Sequence, residues 1–254
     1  MRKILIIGIG SGNPEHVTVQ AINALNQVDV FFLPNKGAEK AALQKLRTDI
    51  CERFIKDRSY RFVDMKTPKR ATEFSDYRST VEEWHDAIEK NYKQFLTEEL
   101  ADGQCGAFLV WGDPALYDST LRIIDKIRAE GFALDYEVIP GVSSVQVLAA
   151  RHRVALNRIG EPVLITPARK LVEGLPNTVD STVVVLDGEQ TFKRLDGEAF
   201  DIYWGAYLGT PDEILVAGKL SDVRDEIATR RDSARRANGW IMDTYLLRRR
   251  LSTS

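Results

Sequence analysis

Three short glycine-containing segments carry the residues that could do chemistry. They are Gly8–Gly12, Gly112–Pro114 and Pro140–Ser144, and each follows a predicted strand. Glycine lets a ligand approach the main chain closely, and free N–H groups at the start of a helix favour negatively charged groups. Ligands of open α/β sheets bind beyond the carboxyl ends of the strands. Three such segments therefore indicate a ligand site at one edge of a sheet.

The first segment raises the possibility of a dinucleotide site. Such a site needs an acidic residue at the end of the second strand, where it binds the ribose hydroxyls. Here that strand ends in Leu33–Lys36, Asp29 lies at its opposite end, and the glycine spacing is Gly-x-Gly-x-Gly. These departures argue against a nicotinamide-dependent oxidoreductase. A tight turn that serves only the packing of a strand on a helix is the simpler alternative.

Asp113 is the carboxylate best placed for acid–base chemistry, because an apolar strand would deliver it to a sheet edge. Pro114 holds it in an extended or turn conformation. An Asx-turn that only shapes the loop is an equally good interpretation of Asp113. For Ser143 and Ser144, the alternative to a ligand contact is a capped helix that binds nothing.

An alternation of strands and helices must position these segments. In the first half we predict strands at residues 4–7, 28–33, 60–65, 106–111 and 134–139, and helices from Pro14 (with Asn13 as N-cap) and at 39–55, 77–100, 120–130 and 144–153. In the second half we predict strands at 163–166, 182–186, 202–207, 214–219 and 241–247, with helices near Phe192 and at 222–237. The fold class is therefore α/β, with a parallel-sheet domain over residues 1–143 and a mixed-sheet domain over residues 144–254.

The composition is that of a globular protein. The chain has 254 residues, 44% of them hydrophobic and 28% charged, with a formal net charge of −2. The balanced charge gives no electrostatic footprint for nucleic acid, and no apolar run approaches the ~20 residues that cross a bilayer. Two isolated cysteines and an N-terminus too short for a signal peptide favour a soluble cytoplasmic protein. With only three histidines, at positions 16, 85 and 152, we expect no metal site.

The order and spacing of three motifs resemble those of the tetrapyrrole (corrin/porphyrin) methyltransferases. The motifs are Gly8–Thr18, Gly112–Tyr117 and Pro140–Ser144, and the resemblance covers essentially the whole chain. It implies two α/β domains with the active site in the cleft between them, and usually a homodimer. It implies S-adenosylmethionine as the methyl donor and S-adenosylhomocysteine as the product. The segments Trp204–Pro211 and Asn238–Asp243 resemble the branch that methylates precorrin-5 at C-1 and releases acetate.

The same resemblance implies the residues of the site. It places Gly10 and Gly12 beside the tetrapyrrole rather than around a phosphate. The family usually has proline where this chain has Ser11, and often an apolar residue where it has Asp187. The implied cofactor contacts are Ser11, Trp111, Gly112, Asp113, Leu116, Ser143, Ser144, Leu186, Asp187, Gly209 and Thr210.

The acetate and propionate groups of a tetrapyrrole require basic residues nearby. Lys66, Lys69 and Arg70 are our candidates, because arginine and lysine bind carboxylates. A solvated charged loop is an equally good interpretation of this segment.

Methyl transfer from a sulfonium to an electron-rich ring carbon needs no protein nucleophile. We expect catalysis mainly by alignment, which contributes about 7–11 kcal/mol at best. Release of acetate requires water to add to the acetyl carbonyl, and the candidate general bases are Asp113, Tyr117 and His16. The alternatives are a family member acting on another precorrin, on a protein histidine or on ribosomal RNA, and a non-catalytic protein that carries the tetrapyrrole.

Overall fold

A computed structural model describes residues 1–35, 41–56, 59–66, 77–176 and 178–250. The chain forms two compact units. The first comprises Met1–Gly10 and Pro14–Val142, and the second comprises Ser11–Asn13 and Ser143–Ser254. One sheet is parallel and the other mixed, so the predicted α/β fold class is confirmed.

The first unit is a doubly wound parallel sheet. Its strands are β1 (Arg2–Gly8), β2 (Val30–Asn35), β3 (Arg61–Lys66), β4 (Cys105–Val110) and β5 (Leu134–Ile139), in the order β3-β2-β4-β1-β5. Helices α1 (Val19–Leu25) and α2 (Ala41–Phe54) pack on one face, and α3 (Tyr77–Glu99) and α4 (Thr120–Ala129) pack on the other. The chain continues from β1 into α1 on one face of the sheet, and from β4 into α4 on the other face. The topological switch point of the sheet therefore lies between β1 and β4. Ligands of this fold bind there, beyond the carboxyl ends.

The aliphatic run of β1 explains its central place in the sheet. Ile4 and Ile6 pack towards α3 and α4, whereas Leu5 and Ile7 pack towards α1 and α2. All four side chains are buried, each contributing on the order of 1.5–3 kcal/mol. A strand that is covered on both faces has a continuous run of apolar residues, and this run is why β1 could be predicted from the sequence.

The helix predicted to begin at Pro14 differs in the structure. Pro14–His16 forms a single 3-10 turn, and α1 begins only at Val19. The N-cap of α1 is Thr18, whose hydroxyl accepts a hydrogen bond from the amide of Ala21 at 3.1 Å. The prediction of Asn13 as the cap of this helix is therefore wrong. The chain instead makes a longer turn after β1, with Gly10 and Gly12 at positive φ.

The second unit is built on a mixed sheet. Its strands are β6 (Val163–Pro167), β7 (Ser181–Val185), β8 (Phe200–Ala206), β9 (Ile214–Lys219) and β10 (Asp243–Arg249), in the order β6-β7-β10-β8-β9. Among the strands described in this unit, β6 and β7 pair in parallel and the other neighbours pair antiparallel. Helix α6 (Leu220–Asn238) and two 3-10 turns, Ala168–Glu173 and Thr191–Arg194, cover the face that carries Trp204. Helix α5 (Ser144–His152) packs against β8, β9 and β10.

Candidate active site

The three glycine segments meet at the switch point of the first unit. The loops after β1 and β4 are joined by a two-way bridge: Gly112 N donates to Gly10 O at 2.8 Å, and Gly10 N donates to Gly112 O at 3.3 Å. A Cβ atom at Gly141 would lie 2.1 Å from Gly112 O, and one at Gly8 would lie 2.6 Å from Gly141 N. No side chain fits at either position. The three loops are therefore packed main chain to main chain.

Asp113 ties two of these loops together. Its Oδ1 accepts a hydrogen bond from the amide of Ala115 at 2.8 Å, which is an Asx-turn. Its Oδ2 accepts from the amide of Gly141 at 2.9 Å and so links the loops after β4 and β5. Each oxygen of the Asp113 carboxylate thus accepts a main-chain hydrogen bond that holds a loop. This geometry favours a positioning role for Asp113 over that of a general base.

The segment after β4 has two residues at positive φ. Gly112 has a φ of 70° and Tyr117 a φ of 55°, which is uncommon for an aromatic residue. Tyr117 is 44% exposed, and Leu116 donates its amide to Asp113 O at 3.2 Å to close the turn. Trp111 packs on the core beneath α1 and α2, so its main chain is the part that borders the loop. Strained residues cluster at functional sites.

Two buried polar atoms of the turn after β1 have no hydrogen-bond partner among the described residues. They are the Oγ of Ser11, which is 2% exposed, and the Nδ1 of His16. His16 lies against Gly10, where a Cβ atom would be 2.8 Å from His16 Cβ. Buried polar groups are normally satisfied, so orphaned ones point to a missing partner such as a ligand.

In the second unit, Ser143 is the N-cap of α5. Its hydroxyl accepts a hydrogen bond from the amide of Val145 at 3.2 Å, and its own amide donates to Oε1 of Gln146 at 3.1 Å. These contacts form a capping box. Of the two serines that the sequence offered, Ser143 makes the cap and Ser144 is the first helical residue. The capped-helix interpretation of Ser143 is thereby part of the structure.

The second unit brings two predicted cofactor segments together. A Cβ atom at Gly12 would lie 2.6 Å from Thr210 Cγ2 and 3.0 Å from Leu208 O, so the Ser11–Gly12 turn rests on the Leu208–Thr210 turn. Thr210 Oγ1 donates to Tyr207 O at 2.8 Å and holds the latter turn closed. Ser11, Gly12, Gly209 and Thr210 are therefore neighbours, although about 200 residues of sequence separate them.

Glu213 is a residue of this region that the sequence analysis missed. Its Oε2 accepts a hydrogen bond from the amide of Gly209 at 2.9 Å, and its Oε1 pairs with Nε of Arg151 at 2.5 Å. The carboxylate is largely buried and fixes the Gly209 turn to α5. The only signal in the sequence was an acidic residue four positions after Gly209, which many turns have.

After the end of β7, the side chain of Leu186 is exposed and that of Asp187 is buried. Leu186 is 63% exposed and has a φ of 56°, which is strained for a leucine. Asp187 is 4% exposed. The donors to its carboxylate are the amides of Glu189 and Thr191 and the hydroxyls of Thr191 and Tyr245. Burial, and then the neighbouring Asp187, raise the pKa of Tyr245. Leu186 is thus open to a ligand, whereas the Asp187 side chain is committed to the fold.

A buried ion pair, Arg231 with Asp243, holds the loop after β7 in place. Arg231, which is 1% exposed, donates from Nη2 to Asp187 O at 2.6 Å and from Nε to Asp243 Oδ2 at 2.9 Å. Trp204 Nε1 donates to the same Asp243 oxygen at 3.0 Å. Burial raises the pKa of Asp243, and the hydrogen bond and charge of Arg231 oppose that shift. The two segments that the sequence singled out around Trp204 and Asp243 thus meet in one network.

The predicted substrate-binding residues are only partly within the described residues. Lys66 is the last residue of β3, while Lys69 and Arg70 lie outside the described residues. Within the described ranges no group of three or more His, Cys, Asp or Glu side chains could hold a metal ion. In the same part of the chain, no helix is long and apolar enough to cross a membrane.

The comparison with protein families decides the classification. Residues 3–224 match the sequence profile of the tetrapyrrole (corrin/porphyrin) methylases, which is well over half of the chain. The chain belongs to the tetrapyrrole methylase family. The resemblance read from the three glycine motifs is therefore confirmed.

Similar proteins give the family membership more detail. A precorrin-6A synthase [deacetylating] from Sinorhizobium sp is 53% identical over 98% of this chain and 96% of its own length. A crystal structure of a putative cobalamin synthesis related protein from Corynebacterium diphtheriae is 36% identical, with a TM-score of 0.82 over 98% of both chains. A uroporphyrin-III-C-methyltransferase from Thermus thermophilus shares the tetrapyrrole methylase fold at 18% identity, with a TM-score of 0.63 over 96% of this chain and 91% of that one.

Proposed function

We propose that this tetrapyrrole methylase transfers a methyl group from S-adenosylmethionine to C-1 of precorrin-5 and releases acetate, giving precorrin-6A in cobalamin biosynthesis. The observation that carries the proposal is the 53% identity, over 98% of the chain, with a deacetylating precorrin-6A synthase. Relatives with other stated substrates are far less similar: a probable cobalt-precorrin-2 C(20)-methyltransferase from Methanocaldococcus jannaschii is 24% identical.

The residues present fit the cofactor that the family implies. The proposed contacts of the loop after β4 are Trp111, Gly112, Asp113 and Leu116, and Ser143 and Ser144 follow β5. Ser11, Leu186, Asp187 through its main chain, and Gly209 with Thr210 complete the set. Three features support the assignment: the Ser11 Oγ, which has no partner among the described residues, the exposed Leu186 and the positive φ of Gly112. The cofactor, when bound, supplies an electrophilic methyl group.

This chain's own contribution is positioning. Asp113 fixes the loops after β4 and β5, and Glu213 fixes the turn at Gly209, so their main-chain groups are held in place before a ligand binds. Pre-organised positioning is the large term in a displacement between two bound molecules, about 7–11 kcal/mol at best. An electron-rich tetrapyrrole carbon provides the attacking electron pair, and no protein nucleophile is needed.

We propose His16 as the group that assists acetate release. Water adds to the acetyl carbonyl, the carbon–carbon bond to the macrocycle breaks, and the electron pair stays with the ring. A general base that takes the water proton contributes typically 10²–10⁴-fold. Asp113 already uses both oxygens in main-chain hydrogen bonds, whereas Nδ1 of His16 is buried without a partner among the described residues. We keep Tyr117 as the second candidate, because it is exposed in the same motif.

We also propose a cytoplasmic homodimer that binds neither nucleic acid nor membrane. The family resemblance supports the dimer, and the net charge of −2 argues against a nucleic-acid partner. Light scattering on the purified chain measures the mass directly. A particle of twice 28.7 kDa supports this part of the proposal, and a monomer contradicts it.

The alternative of a nicotinamide-dependent oxidoreductase has little support. β2 ends at Asn35 rather than at an acidic residue, and the glycine turn opens a three-residue 3-10 turn instead of a long helix. A dinucleotide site needs both features.

A panel of substrates tests the proposed specificity. Precorrin-5 and earlier precorrins, each generated enzymatically, are incubated with methyl-labelled S-adenosylmethionine, and products are identified by mass. We expect label transfer to precorrin-5 alone. Transfer to an earlier precorrin contradicts the specific assignment while leaving the family intact. Binding of the tetrapyrrole without any transfer supports the carrier protein instead.

A further inference from the structure

Arg47 is a cation at the carboxyl edge of the first sheet that the proposed mechanism has not used. It lies on α2, partly buried, and Nε donates to Leu109 O at 3.1 Å, while Nη1 donates to Leu43 O at 3.3 Å. Leu109 is the second-last residue of β4, and one residue, Val110, separates it from the Trp111–Asp113 segment. The guanidinium therefore sits beneath the loop at the switch point.

The sheet itself creates the place for this side chain. β2 and β4 pair only as far as Phe32 and Phe108. Beyond that point β2 continues through Pro34, which has no amide hydrogen to donate. The carbonyl of Leu109 is thus left without a strand partner on this side, and Arg47 takes it. Hydrogen bonds to the carbonyls of Leu109 and Leu43 hold the charged side chain of Arg47 in this place.

The charge of Arg47 is not closely balanced. Among the described residues no carboxylate lies within ion-pair distance of its guanidinium, and the facing ionisable groups are Asp118 and Tyr92. Asp118 is itself engaged, because its Oδ1 accepts from the amide of Thr120 at 2.7 Å. Burial lowers the pKa of Arg47, and the charge of Asp118 opposes that shift. A partly buried cation without an adjacent anion is costly to keep.

The two main-chain acceptors leave Nη2 of Arg47 without a hydrogen-bond partner in the part of the chain described. A guanidinium nitrogen pair binds a carboxylate bidentately, and such charge-assisted bonds are roughly twice as strong as neutral ones. We propose that Arg47 binds a carboxylate of one of the two reacting molecules beside the loop after β4. This inference rests on the proposed function, because it takes the tetrapyrrole and S-adenosylmethionine as those molecules.

Two sources can supply the carboxylate: an acetate or propionate side chain of the tetrapyrrole, or the amino-acid end of the cofactor. The experiment compares wild type, Arg47→Gln and Arg47→Lys. Arg53→Gln is the matched control, since Arg53 lies near the C-terminal end of the same helix and pairs with Glu15 at the surface. For each protein we measure the KM for precorrin-5 and the dissociation constants of S-adenosylhomocysteine and of 5′-methylthioadenosine, which lacks the amino-acid carboxylate.

We expect Arg47→Gln to weaken one carboxylate-bearing ligand about 10- to 100-fold, as the loss of a charge-assisted bond predicts. A raised KM for precorrin-5 alone identifies the tetrapyrrole as the source. Weaker S-adenosylhomocysteine binding with unchanged 5′-methylthioadenosine binding identifies the cofactor. Arg47→Lys keeps the charge and should fall in between, and Arg53→Gln should behave as wild type.

A purely structural role for Arg47 makes a different prediction. Arg47→Gln would then lower thermal stability without changing any of the three ligand constants, and that result overturns the inference. Equal weakening of all three ligands also overturns it, since it reports general damage to the site. If the wild-type protein neither binds S-adenosylhomocysteine nor methylates precorrin-5, the proposed function fails, which is a separate outcome.

Discussion

Gly141 lies so close to a neighbouring loop that no side chain fits there. We expect Gly141→Ala to destabilise the fold by about 1–3 kcal/mol, because its Cβ atom would meet Gly112 O at 2.1 Å and main chain cannot move aside as a side chain can. Urea unfolding measures the loss. Gly188→Ala is the control, since a Cβ atom there has no heavy atom within 4 Å. Equal stability of the two variants would contradict the close packing of the loops.

Asp113 gives a second prediction at the scale of the residue. Asparagine keeps one acceptor oxygen but places an amide donor against a main-chain N–H, so Asp113→Asn loses one of the two bonds to Ala115 and Gly141. We expect about 1–3 kcal/mol of destabilisation. We also expect faster hydrogen exchange at the Gly141 amide, which nuclear magnetic resonance detects. An unchanged exchange rate at Gly141 would show that the carboxylate does not hold that loop.

At the scale of the element, α5 depends on its capping box. Ser143→Ala removes the hydroxyl that accepts from the amide of Val145, and should cost about 1 kcal/mol of stability. Ser144→Ala is the matched control, because Ser144 follows the cap and is the first helical residue. Urea unfolding followed by tryptophan fluorescence compares the two; Trp204 is buried in the same unit as α5. A larger loss in Ser144→Ala would reverse the assignment of the cap.

The network of Arg231 and Asp243 joins α6 to β10 and to the loop after β7. Removing one partner of a buried pair leaves an uncompensated charge, so Arg231→Met alone should cost about 3–5 kcal/mol. The double variant Arg231→Met/Asp243→Asn should cost less than the sum of the two single variants. A double-mutant cycle of unfolding free energies measures this coupling. Strict additivity would mean that the pair does not act as a unit.

Arg230→Met is the control for that cycle. Arg230 pairs with Glu226 on the exposed face of α6, where ion pairs contribute about 0–1 kcal/mol. A small effect at position 230 beside a large one at 231 separates the buried network from the general contribution of charge on this helix.

The elements differ in how well the sequence predicts them. β5 could be predicted to the residue, because Gly131 and Pro140 bound a short segment with apolar residues at both ends. The 3-10 turn Ala168–Glu173 could not, because a single short turn has no periodicity to recognise. The predicted start at Pro14 missed the α1 boundary because the glycine turn extends to Thr18, whose capping role is a local contact.

The residues of the candidate site also differ in how well the sequence predicts them. The glycines could be found from sequence, because only glycine allows loops to touch at Gly8 and Gly141. Glu213 and Arg47 could not, because their partners are distant in the chain: Arg47 reaches Leu109 O across 62 positions. The burial of Asp187 was equally invisible, since its partner Tyr245 lies 58 positions away. Long-range contacts of single polar side chains leave no local pattern.

At the scale of the whole molecule, charge is informative only where it is local. The chain has a net charge of −2, yet its proposed substrate carries many carboxylates. In our proposal, recognition rests on individual cations such as Arg47 rather than on an overall positive field. The profile match shows membership of the tetrapyrrole methylase family, and the 53% identity with a precorrin-6A synthase supports the proposed reaction.

The ratio of acetate released to methyl transferred tests the central claim most directly. The wild-type protein is incubated with precorrin-5 generated in situ and methyl-labelled S-adenosylmethionine, and both products are counted in the same sample. The proposed reaction predicts one acetate for each methyl group that appears on the corrinoid. Methyl transfer without acetate would contradict the deacetylating reaction, and acetate without methyl transfer would contradict the assignment of the chain as the C-1 methylase.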